Sequence, residues 1–175
     1  MKKKFIFLLM ILIIIIILLI SIFTQTPESL LRRMENKLEY NAVSEILYST
    51  NENEIYFVFY KNKNKNLACG IFEKKWGNYK LLEIASELSL KMPNKENINF
   101  RVNFITYYYQ HTKQLIMGVT WDQDVAEIII NGKKCDFINY SSAYKVFYAI
   151  NETTEVNTDT YKLYDKEGNE LNPIW

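Results

Sequence analysis

A single histidine in 175 residues, His111, excludes any metal site built on two imidazoles and leaves one candidate base for every Ser-His or Cys-His mechanism. The two cysteines, Cys69 and Cys135, lack the close spacing of a redox or zinc motif. Glycine and proline are scarce, at five and three residues. The chain holds no assembled catalytic or cofactor motif, so no cofactor and no metal is expected. Charge of one sign is also missing. Setting aside Lys2, Lys3 and Lys4, the 21 basic residues fall to 18 against 20 acidic ones, a balance that argues against nucleic acid, whose binding needs clustered Lys and Arg.

What the chain does have is one long apolar run. Residues 5–23 are apolar except for Ser21, and 19 helical residues at ~1.5 Å each extend about 28 Å, close to a hydrocarbon core of about 30 Å. The basic flank at residues 1–4 stays cytoplasmic under the positive-inside rule, and no second apolar run returns the chain. The expectation is a single-pass signal-anchor in the cell membrane with residues 27–175 as one extracellular domain. A cleaved signal peptide competes with this reading, but it has a shorter core and small residues at a cleavage site, and Ser21-Ile22-Phe23 and Phe23-Thr24-Gln25 offer no such pattern. The remaining length of about 150 residues suits one domain with a sizeable core.

The fold class expected is α+β, mainly antiparallel β. Thr26-Pro27-Glu28 is a helix start with a capping hydroxyl, proline at the first position and an acid in the first turn. Leu30, Leu31, Met34 and Leu38 continue it at helical spacing to about Tyr40, as a short amphipathic helix packed on the domain or lying on the membrane. From Val43 the period changes to β-branched and aromatic runs between polar turns. Ile46–Tyr48, Ile55–Tyr60 and Leu67–Phe72 read as a meander with turns at Thr50–Asn53 and Lys61–Asn66. Ile55–Tyr60 is apolar on both faces and is expected to be covered on both. Trp76-Gly77-Asn78-Tyr79 turns into a strand at Tyr79–Ile84, and Glu83–Leu90 reads alternatively as one or two helical turns. Beyond the loop Met92–Asn97, strands are expected at Phe100–Tyr109, Leu115–Trp121, Ala126–Asn131, Asp136–Tyr140, Lys145–Ile150, Tyr161–Tyr164 and Glu170–Ile174. Asn131-Gly132 is the strongest short hairpin signal, predicted to fold Glu127–Ile130 against Lys133–Phe137.

A membrane helix followed by IYFVFYKNKNKNLACGIFEKKWGNYKLLE, and later by GVTWDQDVAEIIINGKKCDFI, AYKVFYAI and KLYDKEGNEL, resembles a group of small, uncharacterised membrane-anchored proteins of low-GC Gram-positive bacteria. The likeness covers most of the outer domain and rests on strand and turn chemistry. It implies a membrane-anchored, β-rich fold, no known activity and no site residues.

Each remaining constellation has a plain structural reading beside the functional one. His111 stands where a strand ends, as a turn residue or as a catalytic base. Cys69 and Cys135 read as two buried thiols, or as one disulfide in a compartment that permits it. Asp122, Asp124 and Glu127, and then Asp165, Glu167, Asn169 and Glu170, read as solvated turns or calcium ligands, although neither group has the pattern of an EF-hand loop. Tyr107-Tyr108-Tyr109, Trp76, Trp121 and Trp175 suggest a stacking surface for glycan or peptide, yet consecutive strand residues point to opposite faces and cannot form one patch. Lys61, Lys63 and Lys65 alternate with Asn at a hairpin tip, a soluble turn or a contact for an anionic envelope polymer. The function expected is a non-enzymatic, membrane-tethered module that binds an envelope protein or polymer through one sheet face. The alternative is a hydrolase-like envelope enzyme using His111 with Asp122 or Glu127.

Overall fold

Odd and even residues of each central strand are apolar alike, so each strand supplies two buried layers. The computed structural model describes residues 2–23, 25–38, 41–91, 102–109, 113–152 and 160–172. After a helix α1 (Lys2–Phe23) come two short ones, α2 (Pro27–Arg33) and α3 (Glu35–Leu38). A first sheet follows as a meander of β1 (Val43–Glu52), β2 (Ile55–Asn62), β3 (Asn66–Lys75) and β4 (Asn78–Ser89). A second sheet has the order β5 (Val102–Tyr109), β6 (Lys113–Thr120), β10 (Lys145–Glu152), β9 (Asp136–Ile138). The third has the order β12 (Glu170–Leu171), β11 (Tyr161–Tyr164), β7 (Glu127–Ile130), β8 (Lys133–Lys134). Every pairing among the described residues is antiparallel, so the chain is α+β with mainly antiparallel sheets.

The three sheets and the short helices stack as four layers. Phe57, Phe59, Cys69 and Ile71 of the first sheet meet Leu115, Met117, Val146 and Tyr148 of the second. The alternate residues of that second sheet, Ile116, Phe147 and Ala149, turn the other way and meet Ile128, Ile130 and Leu163 of the third. On the far face of the first sheet, Val58, Tyr60, Ala68 and Phe72 surround Leu31 of α2. The apolar run Ile55–Tyr60 is therefore covered on both faces, as its composition predicts. Burying Leu31 completely contributes roughly 1.5–3 kcal/mol, and it depends on Gly70, where an added Cβ would come within 2.8 Å of the leucine side chain.

The helix start lies at Thr26, whose hydroxyl accepts from the Ser29 N–H at 3.2 Å while the Ser29 hydroxyl accepts from the Thr26 N–H at 3.1 Å. This reciprocal cap satisfies two backbone donors that a helix start otherwise leaves unpaired. The expected single helix to Tyr40 breaks after Arg33, and its apolar stripe packs on the first sheet.

Other expectations need correction. Glu83–Leu90 is not helical, because β4 continues to Ser89. Two register shifts against β3 each give β4 one extra residue, which places Leu81, Ile84, Ala85 and Leu88 at helical intervals although the backbone is extended. The first turn lies at Asn53-Glu54, between the paired Glu52 and Ile55, rather than at Thr50–Asn53. The Asn131-Gly132 hairpin forms, but its second strand ends at Lys134; Cys135 donates its N–H to Ile128 at 2.8 Å, and the chain then crosses to the second sheet as β9. The loop Met92–Asn97 lies outside the described residues, as do the ends expected at Phe100 and Ile174.

In α1 the described side chains are those of residues 6–17, all apolar and all exposed, from 41% at Ile11 to 70% at Leu8. They join none of the three clusters. Among the described residues, no helix is long and apolar enough to cross a membrane. Residues 5–23 fall within the 22-residue helix α1, so the helical backbone expected there is present, while its membrane-spanning role gains no support from the described residues.

Candidate functional site

The polar residues singled out in the sequence are mostly occupied with their own turns. Asp122 accepts through Oδ1 from the Asp124 N–H at 3.0 Å. Asp165 accepts from the N–H groups of Glu167 and Asn169 at 3.0 and 2.8 Å and from the Asn169 side chain at 2.9 Å. These bonds hold the Asp165 carboxyl below the usual carboxylate range and mark backbone-shaping turns. Glu127 is paired with Lys134, and Glu170 lies 3.8 Å from Lys162. Among the described residues no group of three His, Cys, Asp or Glu side chains could hold a metal ion. His111 and Trp175 lie outside the described residues, and with His111 the proposed pairing with Asp122 or Glu127 lies outside them as well.

Both cysteines are free and buried, in different layers: Cys69 between the first and second sheets, Cys135 between the second and third. Burial pushes the Cys69 thiol well up, and burial together with Asp136 pushes Cys135 up to about 12. Neither is a nucleophile at neutral pH. The three consecutive tyrosines divide as strand geometry requires. Tyr109 is buried edge-on to Phe57 at 5.5 Å, while Tyr108 is on the opposite face and accepts from the Gln114 amide at 3.3 Å. At the lysine tip, buried Asn62 accepts from the Asn66 N–H at 2.9 Å and Lys61 lies 3.9 Å from Glu45, so the repeat is a tied turn. Glu45 also accepts from the Tyr140 hydroxyl, which joins the edge of the first sheet to the β9–β10 connection and pushes that phenol up to about 12.

One place gathers polar and aromatic groups from several segments. Where α2 begins, Thr26, Pro27 and Glu28 face Ser49, Thr50 and Asn51 of β1 across a groove of about 270 Å³ floored by Tyr56 and Tyr79. The two rings meet edge-on, with centroids 4.9 Å apart, and the Lys74 ammonium lies 5.9 and 5.5 Å from them, within the reach of a cation–π contact. Burial and the Tyr56 hydroxyl raise the Tyr79 phenol against the lowering effect of Lys74. At Glu28 burial acts to raise the carboxyl, but bonds from the Ser49 hydroxyl, its own backbone N–H and the Thr26 hydroxyl outweigh it, and the net shift is downward. The groove therefore offers a fixed carboxylate, hydroxyl and amide groups and two ring faces. Thr26–Glu28 read in the sequence only as a helix cap and Tyr56 only as a strand residue. The groove draws on four separate segments, and no local pattern could have announced it.

No known family model matches this chain, and no curated protein or solved structure matches it. The likeness to membrane-anchored Gram-positive proteins thus stands on its strand and turn residues alone.

Proposed function

We propose that the chain is a membrane-tethered extracytoplasmic module, anchored once through residues 5–23, that binds an envelope polymer or protein in the groove between α2 and the first sheet. The observation that carries the tether is the exposed apolar surface of α1: side chains 6–17 are exposed and join no cluster among the described residues, and an uninterrupted apolar surface of that kind in water needs an apolar phase to enter. The sequence continues apolar to Phe23. The groove carries the binding reading because both faces of the second sheet are covered. The outer face of the third carries the solvent-exposed Lys134–Glu127 and Lys162–Glu170 pairs, without a groove or paired rings of this kind among the described residues. Hydroxyl and amide donors beside two ring faces suit a polar polymer segment such as a glycan, which uses hydrogen bonds at its edges and aromatic stacking at its face.

Two experiments test this in intact cells. An engineered thiol at Lys63 should react with a reagent that cannot cross membranes, and one at Lys4 only after lysis; the native cysteines stay silent because they are buried. The reverse pattern removes the tether. A photo-crosslinker at Asn51 should capture an envelope component, and capture should be lost with Tyr79→Ala and absent from a crosslinker at Lys162. Equal capture from both positions rejects the groove.

A further inference from the structure

The hairpin between β3 and β4 turns through Trp76 and Gly77, with φ of 54° and 79° between the paired residues Lys75 and Asn78. This two-residue turn demands the left-handed conformation twice, which Asn and Gly adopt readily and a bulky residue does not. Trp76 occupies the strained position and gains no packing in return, since 89% of it is exposed. A residue that serves neither the turn nor the core calls for a reason outside the domain.

Its location supplies one. The groove is lined by Thr26 and Pro27 together with Asn51, Tyr56 and Tyr79, so α2 begins at the end of the first sheet that carries the turns Asn53-Glu54 and Trp76-Gly77. From there α2 runs inward and sets Leu31 over Gly70. The chain preceding Thr26 therefore leaves the domain at the Trp76 end. Only Thr24 and Gln25 separate Phe23, the last residue of α1, from Thr26, a reach of roughly 10 Å at ~3.5 Å per residue. A bilayer that holds α1 must lie against this end of the domain.

We propose that Trp76 is an interfacial anchor that docks the β3–β4 hairpin onto the headgroup layer of the bilayer holding α1, fixing the groove's orientation at the membrane surface. An amphipathic indole is favoured at that depth. The contact depends on the indole rather than on charge, since Lys74, Lys75 and Lys80 at this end are matched by Glu52, Glu54 and Glu73. Neutral lipid suffices, and salt leaves the contact unchanged. This inference rests on the membrane-tether reading.

The test uses the full chain reconstituted in phosphatidylcholine vesicles, with and without phosphatidylcholine brominated near the headgroup end of its acyl chains. Wild type is compared with Trp76→Asn, a substitution that suits the turn and preserves the fold by circular dichroism. The expected result is a loss of tryptophan emission in brominated vesicles that the variant does not show, together with a blue shift of the wild-type emission on reconstitution. Flotation with the vesicles but equal quenching of the two proteins overturns the inference and leaves the tether standing. A blue shift without any quenching by brominated lipid places Trp76 against protein, such as a second copy, and also overturns it. A chain that does not float removes the tether and the inference with it.

Discussion

The turns at Asn131-Gly132 and Trp76-Gly77 have almost the same backbone, with φ of 54° and 78° at the first and 54° and 79° at the second. Their residues are chosen for different reasons. Asn131 tolerates the left-handed region and uses its side chain as well, accepting from the Thr160 N–H at 3.2 Å while its own N–H donates to the Thr160 carbonyl at 2.9 Å. It ties the hairpin to the segment entering β11. Trp76 makes no comparable tie, and its ring stands in solvent. One turn is built from residues that lower its own energy, and the other carries a residue that raises it. The comparison separates residues selected by the fold from those selected by what the fold must touch.

The largest expected effect sets the scale, at a glycine where space rather than conformation is limiting. Gly118 in β6 lies opposite Phe147, and a Cβ there would fall 2.1 Å from the ring. The ring is hemmed in between sheets and cannot swing away. Gly118→Ala is predicted to cost about 3 kcal/mol or more, at or above the top of the usual overpacking range, and to lower the Tm by roughly 6–12 °C at about 2–4 °C per kcal/mol. A shift under about 2 °C in a thermal melt would show that the second and third sheets are not packed as described.

At Gly132 the reverse holds, because nothing lies within 4 Å of an added Cβ and only the positive φ resists substitution. Gly132→Val should cost about 1–3 kcal/mol, and Gly77→Val the same, since the two φ values agree to a degree. Unequal costs, measured by urea midpoints at constant m-value, would break the equivalence of the turns. Exchanging the partner residues sharpens the contrast. Asn131→Trp loses both the tolerant side chain and the bond from Thr160, for about 1–2 kcal/mol. Trp76→Asn should stabilise the domain by about 0.5–1 kcal/mol. If Trp76→Asn instead destabilises, Trp76 has a packing role and the case for an external one fails.

These contrasts also mark how far the sequence could be read. The covered strand Ile55–Tyr60, the capped helix at Thr26 and the Asn131-Gly132 turn were all legible, because each depends on residues within a few positions of one another. The length of β4 was not, since its two extra residues displaced the alternation on which strand recognition depends. Nor was the exit of the chain at Cys135, because pairing of Asp136–Ile138 with β10 is decided by Phe137 and Ile138 finding layers built from distant segments. The groove was invisible for the same reason, and so was the link between Tyr140 and Glu45, 95 residues apart. The exposure of Trp76 was hidden as well. Its neighbours announce a turn, and only the assembled sheet shows that the ring is left in solvent at the end from which α1 departs.

The smallest predicted effect probes that same end of the molecule through Glu28. Its carboxyl is depressed below 4.5 in the folded domain, because the bonds from Ser49, its own N–H and Thr26 favour the charged form more than burial disfavours it. A carboxylate whose folded pKa is lower than its unfolded one contributes stability that is fully present above the unfolded value, and that contribution is lost as pH falls through the folded value. Wild type should therefore exceed Glu28→Gln in stability at pH 7, with the gap narrowing only below pH 4.5 and closing once the acid is protonated in both states. The carboxylate is only partly buried, so solvent screens it, the gap is small and melts must be compared at matched ionic strength. A gap that widens on acidification would mean that Glu28 is held neutral by the groove, and a gap that is constant from pH 7 to pH 3 would mean that its charge does no structural work at the start of α2. Either result would leave the groove without a fixed carboxylate beside its two rings.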